Sequence, residues 1–149
     1  MARFQPDPTW LDSLSGKVVV LTGGSNGIGA ATVKLFHSKG AKVIFGDANA
    51  AGTEEVIKQT SSETVHFQEC NASDYADNLA LFQAALQKYG HIDHAVANAG
   101  IIEQELRFEP KGGLEGVEKE PGIGVLNVNL KGVMYFVRIA CAYLFHRIV

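Results

Sequence analysis

The stretch Thr22-Gly23-Gly24-Ser25-Asn26-Gly27-Ile28-Gly29 stands between a run of apolar residues and a helical pattern. The first N–H groups of a helix lack intrahelical partners and carry the positive end of its dipole. A pyrophosphate fits against them where no Cβ blocks its approach. Glycines at 23, 27 and 29, with Gly24 as a fourth, give the spacing TGxxxGxG. Strand, glycine loop and helix together make such spacing a dinucleotide-binding signal, whereas a tight turn needing positive φ is the plain alternative. Gly23, Ser25, Asn26, Gly27, Ile28 and Gly29 are the candidate cofactor contacts of this loop. Gly27 and Gly29 are expected to give both access to the backbone and close packing of helix on strand.

Asp47 is the second candidate. It ends the run Lys42–Asp47 (KVIFGD), where the adenosine ribose of a bound dinucleotide would lie. A carboxylate there accepts hydrogen bonds from both ribose hydroxyls. It also repels a 2′-phosphate, and no Arg or Lys in the glycine loop or just after Asp47 offsets that repulsion. NAD(H) is therefore expected in preference to NADP(H). The alternative is that Asp47 only caps the helix that follows.

The elements that must position these residues alternate along the chain. Lys17–Thr22 holds the continuous apolar run Val18–Leu21, as in a strand buried on both faces. Residues 27–38 read as a helix closed by Gly40, Lys42–Asp47 as a second strand, and Ala50–Gln59 as a second helix. Thr64–Gln68 reads as a third strand, residues 74–89 as a helix stopping at Gly90, and Ile92–Asn98 as a fourth strand. Glu103 to Glu120 is charged and reads as a surface loop; Pro121 suits the first turn of a last helix. The first dozen residues, with Pro6 and Pro8, read as an extended arm. The order predicts an α/β fold: one Rossmann-type domain, a parallel sheet of about four strands with helices on both faces.

With these residues in place, the chain resembles the short-chain dehydrogenase/reductase (SDR) family. Thr22–Gly29 is similar to that family's cofactor fingerprint, Asn98-Ala99-Gly100 to its NAG motif, and Asn129-Leu130-Lys131-Gly132 to its NxxG motif. The likeness runs from Ser15 nearly to the end. It implies a nicotinamide cofactor, NAD, and hydride transfer between that cofactor and an alcohol or carbonyl substrate. It implies cofactor contacts at Asn98, Ala99 and Gly100, with Asn98 steadying the central strands. Asn71, followed by Ala72, takes the place of the usual Asp beside the adenine. Asn129 is implied as the catalytic asparagine that positions a water in the proton relay.

The resemblance also implies a Ser and a YxxxK pair downstream of the helix bearing Asn129, together with further strands. The chain ends at Val149 before them, so the expected sheet is incomplete and hydride transfer is not expected of this chain alone. A non-catalytic dinucleotide-binding or interaction module is the competing reading. Tyr143 with Arg147 imitates the YxxxK spacing, but on one helix Tyr143 lies about 20 Å from Asn129. It reads as a core or interface residue. His91-Ile92-Asp93-His94 invites a metal, yet the two histidines would face opposite sides of a strand, and no metal is expected.

Composition bounds the rest. The 149 residues are 46% hydrophobic and 19% charged, which suits a globular domain with a core. A net charge of −3 without a basic cluster argues against nucleic acid and acidic membranes. The apolar run Gly132–Phe145 is interrupted by Arg138 and is short for a bilayer. Cys70 and Cys141 belong to no CxxC pattern and read as buried thiols in a reducing compartment, the cytoplasm. The last helix is apolar on nearly every side from Val133 to Val149. Such a helix is normally buried all round, which leads us to expect a homo-oligomer built through it.

Overall fold

The computed structural model describes residues 7–102 and 122–145. Its centre is a four-stranded parallel sheet in the order β3-β2-β1-β4. The strands are β1 (Val18–Thr22), β2 (Lys42–Asp47), β3 (Val65–Glu69) and β4 (His94–Ala97). Between them run α1 (Gly27–Ser38), α2 (Thr53–Lys58) and α3 (Tyr75–Tyr89). In register, Val20 of β1 lies between Ile44 of β2 and Ala95 of β4, and Val43 pairs with Val65 of β3.

Every residue of β1 is buried, and the alternation of a strand explains why. Val19 and Leu21 face one core with Val43, Phe45 and Val65, closed by Ala30 and Val33 of α1 and Val56 of α2. Val20 and Ile44 face the other core, closed by Leu81, Phe82 and Ala85 of α3 and by Phe136, Ile139 and Ala140. A strand covered on both sides has no polar face, so its sequence is continuously apolar. Asp74 starts α3 by accepting the N–H groups of Ala76 and Asp77 at 2.7 and 3.0 Å.

Several boundaries differ from those expected. The second helix begins at Thr53, because Gly52 before it is left-handed. The fourth strand is shorter, and Ile92 is a buried core residue ahead of it. The supposed extended arm contains a 3₁₀ helix, Pro8–Leu14. Asp7 caps it by accepting from Thr9 N–H at 2.9 Å, and Pro8 stands at its start, where a missing N–H costs nothing. Leu14 anchors it in the first core.

The last helix begins at Gly124 among the described residues, and Pro121 lies outside them. It runs as α4 (Gly124–Leu126), a π-helical segment Asn127–Gly132, and α5 (Val133–Phe145). The expected loop Glu103–Glu120 also lies outside the described residues. From Gly124 to Phe145 the helix is 22 residues long, and by length and composition it could cross a membrane. The helix is thus longer than the apolar run Gly132–Phe145 taken alone, and its Phe136, Ile139 and Ala140 are part of the second core. Its inner face packs on the sheet and on α3: these three residues share that core with Val20 and Ile44, and the Phe136 ring lies 4.9 Å from that of Phe82 in α3. Its outer face shows Leu126, Leu130, Met134, Val137 and Phe145 to solvent. Cys141 is exposed as well, against expectation, whereas Cys70 is buried.

Candidate cofactor site

A cleft of about 460 Å³ opens at the carboxyl ends of the strands. Strand order reverses at β1, since β2 and β3 lie to one side and β4 to the other. Ligands of open α/β sheets settle at such a switch point. All the candidate cofactor residues except Ser25 line this cleft: Gly23 and Asn26–Gly29 from the first loop, Asp47 from β2, Asn71 and Ala72 after β3, and Asn98–Gly100 after β4. Ala48, Cys70, Ile101 and Val128 line it too, although their sequence context carried no such signal.

The glycines are constrained in different ways. Gly29 lines the cleft and is also where helix and strand pack closely: a Cβ there would lie 1.8 Å from the carbonyl oxygen of Gly23. Gly27 serves access. Its φ is +54°, a conformation that side-chain-bearing residues rarely adopt, and a Cβ added to it would meet nothing within 4 Å. Asn26 at the N-cap of α1 makes no side-chain cap hydrogen bond. Its amide is turned away, donating to the Ala51 carbonyl at 3.0 Å. The first helical N–H groups are thus left without a side-chain cap, next to a glycine without a Cβ. This is the arrangement an anionic pyrophosphate fits.

Asn98 ties the ends of β1 and β4 together. Its Nδ2 donates to the carbonyls of Thr22 and Gly23 at 3.1 and 2.9 Å. The Ala99 N–H donates to Thr22 Oγ1 at 3.3 Å. Asn98 therefore supports the floor of the cleft through its side chain, in keeping with a role in steadying the central strands.

Asp47 does not cap the next helix. Its Oδ2 accepts the Ser25 N–H at 3.0 Å and its Oδ1 accepts the Asn49 N–H at 3.0 Å. Ser25 itself is buried, with its Oγ 2.7 Å from Thr53 Oγ1. It acts behind the wall rather than on it.

Beside Asp47, the Cys70 thiol is pushed up to about 12, first by burial and then by the carboxylates of Asp77, Asp47 and Asp74. A thiol so placed stays protonated and is a poor nucleophile at neutral pH. Asn71 Oδ1 accepts from the N–H and Oγ of Ser73 at 3.0 and 2.8 Å, and the Asn71 N–H donates to Asp77 Oδ2 at 2.9 Å. These bonds fix the loop on which Asn71 and Ala72 stand.

Asn129 sits in the π-helical segment, a distortion often found at functional sites. Its amide grips the backbone of Ile101 twice. Ile101 N–H donates to Asn129 Oδ1 and Asn129 Nδ2 donates to the Ile101 carbonyl, both at 2.9 Å. Its side-chain polar atoms are thus committed to the loop after Asn98-Ala99-Gly100, and its neighbour Val128 is the one that reaches the cleft. Gly132 completes the motif, since a Cβ there would stand 2.5 Å from the Ala72 carbonyl oxygen. NxxG therefore fastens the helix to two walls of the cleft at once.

Tyr143 lies elsewhere, with its ring 5.5 Å from Phe82 at the edge of the second core. His91 and Asp93 form a contact at the opposite end of the sheet. His91 Nε2 lies 3.2 Å from Asp93 Oδ2, which also accepts the Val18 N–H at 2.8 Å. Asp93 thereby pins the start of β1.

Comparison with known proteins agrees with this architecture. The model of the short chain dehydrogenase family matches residues 17–148. A short-chain dehydrogenase/reductase of Acremonium egyptiacum is 40% identical over 90% of this chain and 44% of its own length. The 3-oxoacyl-(acyl-carrier-protein) reductase FabG of Thermotoga maritima is 35% identical over 88% of this chain and 51% of its own. Among solved structures, the 3-ketoacyl-(acyl-carrier-protein) reductase of Brucella melitensis complexed with NADH superposes with a TM-score of 0.69. It is 33% identical, over 87% of this chain and 51% of that one. The chain spans about half the length of these relatives. On the family match, which runs through both the glycine loop and the NxxG helix, the chain belongs to the short chain dehydrogenase family.

Proposed function

We propose that this chain forms the nicotinamide-dinucleotide-binding part of an NAD(H)-dependent oxidoreductase that exchanges hydride with an alcohol or carbonyl substrate. One observation carries the reading: the helix start at Gly27–Gly29 lacks a side-chain cap and opens on a cleft that holds Asp47. The first helical N–H groups would hold the pyrophosphate, and Asp47 the adenosine ribose. Asn71 and Ala72 would lie beside the adenine, and Asn98–Gly100 would line the path toward the nicotinamide. When bound, the cofactor supplies the hydride chemistry. Asn129 acts in this scheme as a positioning residue, because its amide holds Ile101. The relative complexed with NADH supports a nicotinamide cofactor. NAD(H) over NADP(H) rests on Asp47 and on the absence of Lys and Arg from residues 22–29 and 47–53.

Calorimetric titration with NADH and NADPH tests this. NADH should bind more tightly, and Asp47→Ala should weaken NADH far more than NADPH. Equal or tighter NADPH binding by the unaltered chain would sink the assignment to Asp47. We further propose self-association through the exposed face of the last helix, supported by its apolar residues and by β4, whose one hydrogen-bonded neighbour among the described residues is β1. A reducing compartment, the cytoplasm, suits the two free thiols.

A further inference from the structure

The segment Asp47–Thr53 is fastened to the glycine loop at three places. Ser25 N–H donates to Asp47 Oδ2 at 3.0 Å, Asn26 Nδ2 donates to the Ala51 carbonyl at 3.0 Å, and Ser25 Oγ meets Thr53 Oγ1 at 2.7 Å. Gly52 makes this closeness possible. Its φ is +90°, and a Cβ there would stand 2.5 Å from the Ser25 carbonyl oxygen and 2.6 Å from Asn26 Oδ1. A side chain at 52 would press on backbone that is itself held, so the segment would have to lift.

We propose that Asn26 and Gly52 are positioning residues that lock the ribose wall of the cleft and thereby set its discrimination against a 2′-phosphate. The inference deepens the NAD(H) reading above and rests on it. A carboxylate excludes a phosphate only if it cannot turn aside. Asp47 cannot, because each of its oxygens accepts a backbone N–H, one from Ser25 and one from Asn49. Asn26 contributes twice. It holds the segment that carries Asp47, and, as a residue lining the cleft, it commits to Ala51 the side-chain donor that could otherwise serve a phosphate. With the clamp closed, the wall offers a fixed negative charge and no cation. With it open, Asp47 can swing away and the Asn26 position or the loop backbone can meet the phosphate. Selectivity is then a property of two loops joined together and not of Asp47 alone.

The test is calorimetric titration of the chain and its Asn26→Ala and Gly52→Ala variants with NAD+ and NADP+, alongside thermal unfolding. Removing one net hydrogen bond should reduce the preference for NAD+ about fivefold in Asn26→Ala, and Gly52→Ala should reduce it further. A merely structural role would lower both affinities in proportion and leave their ratio unchanged; that result in a folded Asn26→Ala overturns the proposal while the NAD(H) reading stands. If Gly52→Ala does not fold, Asn26→Ala decides. Binding of NADP+ by the unaltered chain as tightly as NAD+, or of neither nucleotide, overturns both readings.

Discussion

At the scale of single residues, glycines with the same name have opposite duties, and mutation should separate them. Gly27→Ala places a methyl group in open space at a φ that costs about 1–2 kcal/mol. It should lower NAD(H) affinity by roughly tenfold or more while the protein still unfolds cooperatively, as read by calorimetry and urea titration. Gly29→Ala, driven against the Gly23 carbonyl, should instead destroy the fold, with loss of soluble protein or of the thermal transition.

Cys70 makes a pH prediction. Its folded pKa of about 12 lies above the ordinary 9.0, so the native state keeps a proton that the unfolded chain releases. That contribution is complete below about pH 9, falls as pH rises from there toward 12, and levels off above it. Cys70→Ala should flatten this alkaline limb in urea titrations taken at successive pH values. The spacing of the glycines was legible in the sequence, but their separate duties were not. Spacing cannot tell a Cβ that would enter solvent from one that would strike Gly23, because that depends on how helix and strand meet. Cys141 was misread for a related reason: an apolar helix does not declare which of its sides the sheet will cover.

At the scale of elements, the strands were plain because β1 is apolar on both faces and helices separate the runs. What escaped was geometry that changes no residue type. The π-helical segment Asn127–Gly132 has no composition of its own, and the 3₁₀ helix was hidden because Pro6 and Pro8 suggest extended chain, although Asp7-Pro8-Thr9 is a sound start signal. The loop-to-loop contact of Asn26 with Ala51 joins residues 25 apart, and no local pattern announces it. The motif Asn129–Gly132 allows an element-scale test. Asn129→Ala leaves the N–H and carbonyl of Ile101, at an exposed position, to water, so each lost hydrogen bond costs about 0.5–1.5 kcal/mol. Hydrogen exchange should quicken at Ile101 more than in α3, and nucleotide affinity should fall even though Asn129 does not line the cleft. Unchanged exchange at Ile101 would show that the amide grip is not what holds this loop.

At the scale of the whole molecule, the last helix divides into a face on the sheet and a face in water. Met134 is 64% exposed and Phe145 67%. Burying a large apolar side chain is worth about 1.5–3 kcal/mol, so a handful along one face drives association. Light scattering at micromolar concentration should give a dimer or larger species, and Met134→Glu with Val137→Glu should shift it toward the monomer with the fold kept. A monomeric unaltered chain would mean that this face stays in water by itself.

The sheet also carries a consequence for the order of events in time. Its two halves differ in how far the chain must return to close them. Ser25 and Asp47, which join the ends of β1 and β2, are 22 residues apart; Val18 and Asp93, which join the starts of β1 and β4, are 75 apart. The longer closure costs about 1 kcal/mol more in chain entropy, so docking of β4 should follow the rate-limiting step of folding, not precede it. Stopped-flow measurements on Val96→Ala should then show faster unfolding with refolding little changed, while Val43→Ala should slow refolding itself. The cleft borrows one wall from each side of β1. Its last wall to arrive would be the Asn98–Gly100 loop, so a newly made chain would complete its nucleotide site only at the end of folding.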